Sequence, residues 1–345
     1  MKQLTVINSG SLKDLTFCIF TLERKFNLER LVNFLSRSEA EVIVLDASVN
    51  PVLLQNRGNL TYLHVPNMPI QERMRQFSEL AKTKYILLSP DDDFWALNGL
   101  VKTLNFLDRN SDYASAQGLR IRFFDFPLFH WIPDYVNQMT LDYNQEAKRD
   151  RLLKMATGFH YNYSIIRKED FRKVVDCFST VNSTKRNSGM MAELVFNYAL
   201  PALGKHKLLP VFYSARKSHP YEGGDIDFGK WINDKTDMDA ERFKINVVNL
   251  YQGELSVDEN EAEKIFWYLT KKFSKIKQVP VKKFQRFKMV MRYLFGTTEL
   301  RSLRKFTKIK YFSFYVLLFK NNSFILFIKD LNCIKKHLKE NRITT

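Results

Sequence analysis

Asp91, Asp92 and Asp93 stand side by side in SPDDDFW, directly after the apolar run YILL. Three like charges in a row repel one another unless a cation lies against them. Hard divalent cations such as Mg²⁺ and Mn²⁺ take carboxylate oxygens and keep part of their water shell. One or two aspartates on a tight turn can therefore hold such an ion while the phosphate oxygens of a ligand complete its coordination. An ion held there offsets negative charge developing on a leaving diphosphate. Along the chain the nearest basic residues are Lys84 upstream and Lys102 downstream, so no close sequence neighbour competes for the carboxylates. The competing structural reading is a plain turn, in which aspartates cap or bend the backbone.

The elements that must carry this cluster can be read on either side of it. LTFCIF (15–20), EVIVLDAS (41–48), LTYLHVP (60–66) and KYILLS (84–89) are short, apolar and partly β-branched or aromatic, which predicts strands. Between them, Phe26, Leu28, Leu31, Val32 and Leu35 recur at helical spacing, as do Ile70, Met74, Phe77 and Ala81 after Pro69. ALNGLVKTLNFLDRN (96–110) predicts a third helix and DYASAQG a further strand. Alternating strands and helices predict βαβ units and a mostly parallel sheet with helices on both faces. Ligands of such sheets bind outside the carboxyl ends of the strands. Thr21, Asp46 and the three aspartates all fall at predicted strand carboxyl ends, on one rim. Beyond residue 120 the pattern is mixed. SGMMAELVFNYALPALGKHKLLPVFYSARKSHP predicts a helix, a turn at Gly204 and a strand, and YEGGDIDFGKWINDKTD an exposed loop.

The order LTFCIFTLERKFNLERLVNFL, VIVLDAS, YILLSPDDDF and DYASAQG resembles the GT-A fold glycosyltransferases, in particular the family 2-like bacterial enzymes of surface-polysaccharide synthesis. The resemblance covers roughly residues 15–217. It implies an α/β GT-A domain with a Mn²⁺ or Mg²⁺ cofactor, a nucleotide-sugar donor and a glycan or lipid-linked acceptor. By that resemblance Asp93 coordinates the metal, Asp91 contacts the donor and Asp92 supports it. Asp46 hydrogen-bonds the nucleotide base, with Thr21, Glu23 and Arg24 lining the same pocket. The first turn departs from the family pattern, with Phe20-Thr21 in place of Pro-Thr and Glu23 where Asn is common. An inverting transfer also needs a general base for the acceptor hydroxyl. Glu193 is expected in that role, 100 residues after Asp93 and the only acid between Asp176 and Glu222. Glu169 and Asp170 are substitutes that read better as a helix start. In ARKSHPYEGGD, Arg216 is a candidate phosphate clamp, His219 a candidate further metal ligand, and Gly223-Gly224 a candidate lid.

Charge separates the chain into two parts. Residues 264–342 hold 21 Lys and Arg against three acids, whereas the first 263 residues hold 33 basic and 34 acidic residues. Basic and aromatic residues interleave through the tail, for example in KKFSKIKQVPVKKFQRFKMVMRYLF. This pattern suits an anionic membrane surface; the rival is a set of helices that pack Phe and Leu on the body with Lys outside. The expected organisation is a catalytic domain over 1–220, a loop or helical connection over 221–263, and a basic, aromatic, mainly helical region over 264–345. Cys18, Cys177 and Cys333 lie far apart, and no apolar stretch reaches the roughly 20 residues of a spanning helix. The first residues lack the apolar core of a secretory signal. The expected location is cytoplasmic, peripheral on the inner face of the cell membrane. A nucleotidyltransferase would use a similar aspartate cluster. A nucleic-acid-binding protein would explain the basic tail, but the carboxylate rim would repel its phosphates, so no nucleic acid is expected as partner.

Overall fold

The computed structural model describes residues 12–56, 58–124, 130–133, 142–154, 161–181, 188–217, 228–234, 236–274 and 324–340. Four strands form its first half: β1 (Leu15–Thr21), β2 (Glu41–Asp46), β3 (Leu60–His64) and β4 (Tyr85–Pro90). They are joined by α1 (Lys25–Leu35) and α2 (Ile70–Leu80) and are parallel, in the order β3-β2-β1-β4. The side chains of β1 alternate between two hydrophobic cores. Phe17 and Ile19 enter one core with α1, and Cys18 enters the other with α2.

The second half differs from the mostly parallel sheet expected. It contains β5 (Phe94–Trp95), β6 (Tyr113–Phe124), β7 (His130–Pro133), β8 (Ile165–Arg167) and β9 (Lys205–Lys217). β8 runs antiparallel to both β4 and β6, β5 antiparallel to β9, and β7 antiparallel to β6, while β6 and β9 are parallel. The three-residue β8 therefore joins a parallel half to a mixed half. The sequence FHYNYSIIRKEDF reads as a strand entering a helix, and β8 runs straight into the helix that starts at Lys168.

Helices α3 (Leu97–Arg109), α4 (Lys148–Lys154), α5 (Lys168–Ser179) and α6 (Ser188–Leu203) complete the body. α3 lies directly on β9: a Cβ at Gly99 would sit 1.7 Å from the Phe212 carbonyl oxygen, so only glycine allows that approach. Next come α7 (Phe228–Ile232), α8 (Met238–Leu255) and α9 (Glu259–Ser274). The Asp237 side chain caps α8 through Asp239 N and Ala240 N. Phe243, Tyr251, Ile265, Phe266 and Leu269 share one core with α5 and α6. The expected division at 263/264 thus falls inside α9. Charge changes there, but the basic residues occupy the exposed face of a helix whose other face is buried in the body. Part of the loop expected over 221–237 is the short helix α7, with Ile232 buried.

The last helix, α10 (Phe324–Glu340), crosses to the opposite face of the sheet. Phe327, Leu331, Ile334 and Leu338 join α1 and α3 in the second core. For α9 and α10 the packing alternative is the one observed. Residues 275–323, the middle of the basic tail, lie outside the described residues. Among the described residues no helix is long and apolar enough to cross a membrane.

Candidate active site

Strand register brings the polar strand ends together. Thr21 is opposite Asp46 across β1 and β2, and Phe20 is opposite Pro90 across β1 and β4. Asp91 then begins one residue past Pro90, level with Thr21, and the Thr21 hydroxyl donates to Asp91 Oδ2 at 2.7 Å. All three aspartates are buried.

The absence of competing cations near this cluster holds along the chain but not in space. Arg24, from the turn between β1 and α1, donates through Nη1 to Asp91 Oδ1 at 3.1 Å and Asp92 Oδ2 at 3.2 Å. Arg120 on β6 and Arg216 on β9 act on the charge of Asp93. Parallel crossovers carry these residues across the sheet, so spacing in the sequence says nothing about them. Burial raises the pKa of Asp91 above the usual carboxylate range, even with Thr21 and Arg24 favouring its charged form. Burial, followed by the neighbouring charge of Asp92, pushes Asp93 up to about 7. Asp93 is 1% exposed; Oδ1 accepts from Lys217 N at 2.9 Å, and Oδ2 has no hydrogen-bond partner among the described residues.

Asp46 is built differently. Its Oδ1 accepts from Ser48 N at 2.9 Å, and its Oδ2 from the Tyr62 hydroxyl at 2.7 Å and Val52 N at 3.3 Å. Burial opposes ionisation, but the bonds from Ser48 and Tyr62 outweigh it and hold the carboxyl below its ordinary value. In this arrangement Asp46 fixes the segment after β2. Glu23 fixes the same segment from the other side. It sits in the left-handed region at φ 54°; its N–H donates to Ser48 Oγ at 2.8 Å and its Oε1 accepts from Val49 N at 2.7 Å.

On the second half of the sheet, the Tyr163 ring lies under two guanidinium groups. Arg120 is 4.2 Å and Arg216 5.7 Å from the ring centroid. Glu193 is half-buried on α6, six residues into the helix, and its charge reaches the Tyr163 hydroxyl, as does that of Asp93. Tyr163 thus lies within reach of both acids. Glu169 and Asp170 fall in the first turn of α5. His219 and Gly223-Gly224 lie outside the described residues.

Three features at the site are absent from the reading of the sequence. Arg73 on α2 donates to the Thr21 carbonyl at 3.2 Å and lies 5.4 Å from the Phe20 ring centroid. Its place on the apolar face, four residues before Phe77, was a usable signal. Arg120, alternating with apolar residues in GLRIRFF, was another. Tyr163, within FHYNYS, carried none.

The donor set fits a hard divalent ion. Asp93 offers a carboxyl oxygen with no hydrogen-bond partner among the described residues, and carboxylate oxygens suit Mg²⁺ or Mn²⁺. Among the described residues no group of three or more His, Cys, Asp or Glu could hold a metal. An ion here would therefore draw most of its shell from water and ligand oxygens, the usual habit of Mg²⁺ at phosphate sites.

The fold is α/β of the GT-A type, with a helical C-terminal region added. Among solved structures, the chain is similar to the 1–349 portion of S. aureus TarS, with a TM-score of 0.51 at 13% identity. The match covers 78% of this chain and 74% of that one. The same portion of TarS in complex with UDP-GlcNAc aligns equally well. TarS in a longer form aligns with a TM-score of 0.50 at 14% identity, and this chain spans 54% of its length. No protein-family model and no curated protein matches the sequence.

Proposed function

We propose that this chain is a metal-dependent, inverting glycosyltransferase. It moves a sugar from a nucleotide-sugar donor to a glycan or lipid-linked acceptor of a bacterial surface polysaccharide. The observation that carries the reading is the buried Asp93 oxygen, without a hydrogen-bond partner among the described residues, at the carboxyl end of β4. A sheet of this architecture binds its ligand at that rim. Because TarS has been crystallised with UDP-GlcNAc, that nucleotide sugar is the first donor to test.

Asp93 would hold Mn²⁺ or Mg²⁺, which supplies charge neutralisation at the leaving diphosphate, and Asp91 would contact the donor. Arg24 balances Asp91 and Asp92, so that the cluster persists without the donor. Arg216 and Arg120 add positive charge on the side of Asp93. Glu193 takes the proton of the acceptor hydroxyl. The acceptor oxygen then bonds to the anomeric carbon, the bond from that carbon to the phosphate oxygen breaks, and a nucleoside diphosphate leaves. Thr21, Glu23 and Asp46 shape the nucleotide side of the cleft. The basic residues of 264–345 would hold the enzyme at an anionic leaflet on the cytoplasmic side, where a lipid-linked acceptor is anchored. Since α9 and α10 bury their apolar faces, that role rests on exposed lysines and on the composition of 275–323.

The test is to supply nucleotide sugars with Mn²⁺ and follow the products. Release of a nucleoside diphosphate supports transfer, whereas release of diphosphate from a nucleoside triphosphate would make the chain a nucleotidyltransferase. Glu193→Gln should keep donor binding and lower transfer by about 10²-fold or more. Full transfer by that variant would remove Glu193 from the mechanism.

A further inference from the structure

Helix α3 begins right after the aspartate cluster and lacks a capping side chain of its own. Its N-cap residue is Ala96, and the first turn holds no acid. The amides of Asn98 and Gly99 belong to the first turn, whose N–H groups have no partner inside the helix. The Asp330 carboxyl of α10 stands against this turn: its Oδ1 accepts from Asn98 Nδ2 at 2.8 Å, and the amides of Asn98 and Gly99 favour its charged form. Asn98 and Asp330 are 232 residues apart in sequence. An aspartate set against the second and third amides of a helix can do the work of an N-cap, at the positive end of the helix dipole. Burial raises the Asp330 carboxyl to about 6, and Lys102 of α3 is the cation that acts on it.

Two further contacts of α10 fall on the same segment. The His337 ring packs edge-on against Phe94, with centroids 5.8 Å apart, and its Nε2 lies 2.9 Å from the Arg30 carbonyl. The Arg30 guanidinium covers Phe94 at 5.1 Å from the ring centroid. Phe327 packs on Phe212 of β9 with centroids 5.1 Å apart. β9 is the strand that pairs with Phe94–Trp95 and gives Lys217 N to Asp93. The helix thus touches all three supports of the cluster: the ring next to Asp93, the start of α3, and β9.

We propose that α10 is a positioning element of the active site, with Asp330 as the cap of α3 and His337 as the backing of Phe94, so that the basic tail ends in a strut behind Asp93. Neither residue touches substrate. The catalytic consequence rests on the role of Asp93 proposed above, but the coupling itself does not.

The test compares Asp330→Ala and Asp330→Asn with the wild type in the full chain, at neutral pH. Hydrogen exchange of the amides in 91–99 is the first readout. Loss of a cap of about 1 kcal/mol predicts roughly fivefold faster exchange there in Asp330→Ala, with β1–β3 unchanged. Asp330→Asn keeps an acceptor oxygen and should restore exchange to within about twofold. Faster exchange confined to 324–340, or spread evenly over the chain, would overturn the proposal. The second readout is titration with UDP and Mn²⁺, expected to weaken about fivefold in Asp330→Ala. Unchanged affinity alongside faster exchange in 91–99 would overturn the positioning role. If the wild type itself failed to bind UDP with Mn²⁺, the donor reading would fall and the exchange result alone would decide the coupling.

Discussion

Asp46 and Asp93 lie at the carboxyl ends of β2 and β4, on either side of β1, yet the protein treats them in opposite ways. Asp46 is surrounded by donors from its own chain: two backbone amides and a tyrosine hydroxyl. Its charge is used up in shaping the segment after β2. Asp93 is equally buried but receives one amide, and its second oxygen is unmet among the described residues. A protein that needed Asp93 only as a turn residue would gain by satisfying that oxygen, since a buried unpaired acceptor costs about 1–3 kcal/mol. The difference teaches which carboxylate serves the fold and which is kept for something the chain does not supply.

The contrast can be broken most sharply by neutralising Asp93. Its pKa in the folded protein lies above the unfolded value, so its stability contribution is full below about pH 4 and is lost as pH rises through about 7. Asp93→Asn should therefore stabilise the metal-free protein at pH 8 by about 2–4 kcal/mol, with the gain vanishing below pH 4. Denaturant unfolding at both pH values measures it, and loss of stability at pH 8 would contradict the contrast.

Asp46→Ala should do the reverse and cost about 2–3 kcal/mol at pH 7, because it removes the acceptor of buried Ser48 N and of the half-buried Tyr62 hydroxyl. The pH dependence has the opposite sign as well. The lowered pKa of Asp46 gives stability that is present above about pH 4 and lost on further acidification. An Asp46→Ala protein as stable as the wild type at pH 7 would return Asp46 to the list of residues kept free for a ligand. The smallest effect is expected from Tyr62→Phe. It removes one of three donors to Asp46 and should cost about 1 kcal/mol in the same unfolding experiment.

The same contrast marks how much could be read from the sequence. The β1–β4 half was legible because each strand is a short apolar run ending in a polar residue, and parallel register does the rest. The resemblance to the GT-A fold stands on that half. In the mixed half the strands and helices were legible one by one, but their antiparallel pairing was not. β8 is three residues long, and Arg120 and Tyr163 meet only through pairing across β6, β8 and β9. The tail misled through its charge. Lysines on exposed faces conceal the burial of α9 and α10, and a cap joining residues 98 and 330 has no local signature. Nor could the spacing around SPDDDFW reveal Arg24, which the crossover from β1 delivers to Asp91 and Asp92.

The central claim is that Asp93 is kept for a cation that carries a nucleotide diphosphate. Calorimetric titration of UDP into the wild type and into Asp93→Asn, each with and without Mn²⁺, tests it most directly. The account predicts Mn²⁺-dependent binding by the wild type that is lost in Asp93→Asn. Equal, Mn²⁺-dependent binding by both proteins would contradict it.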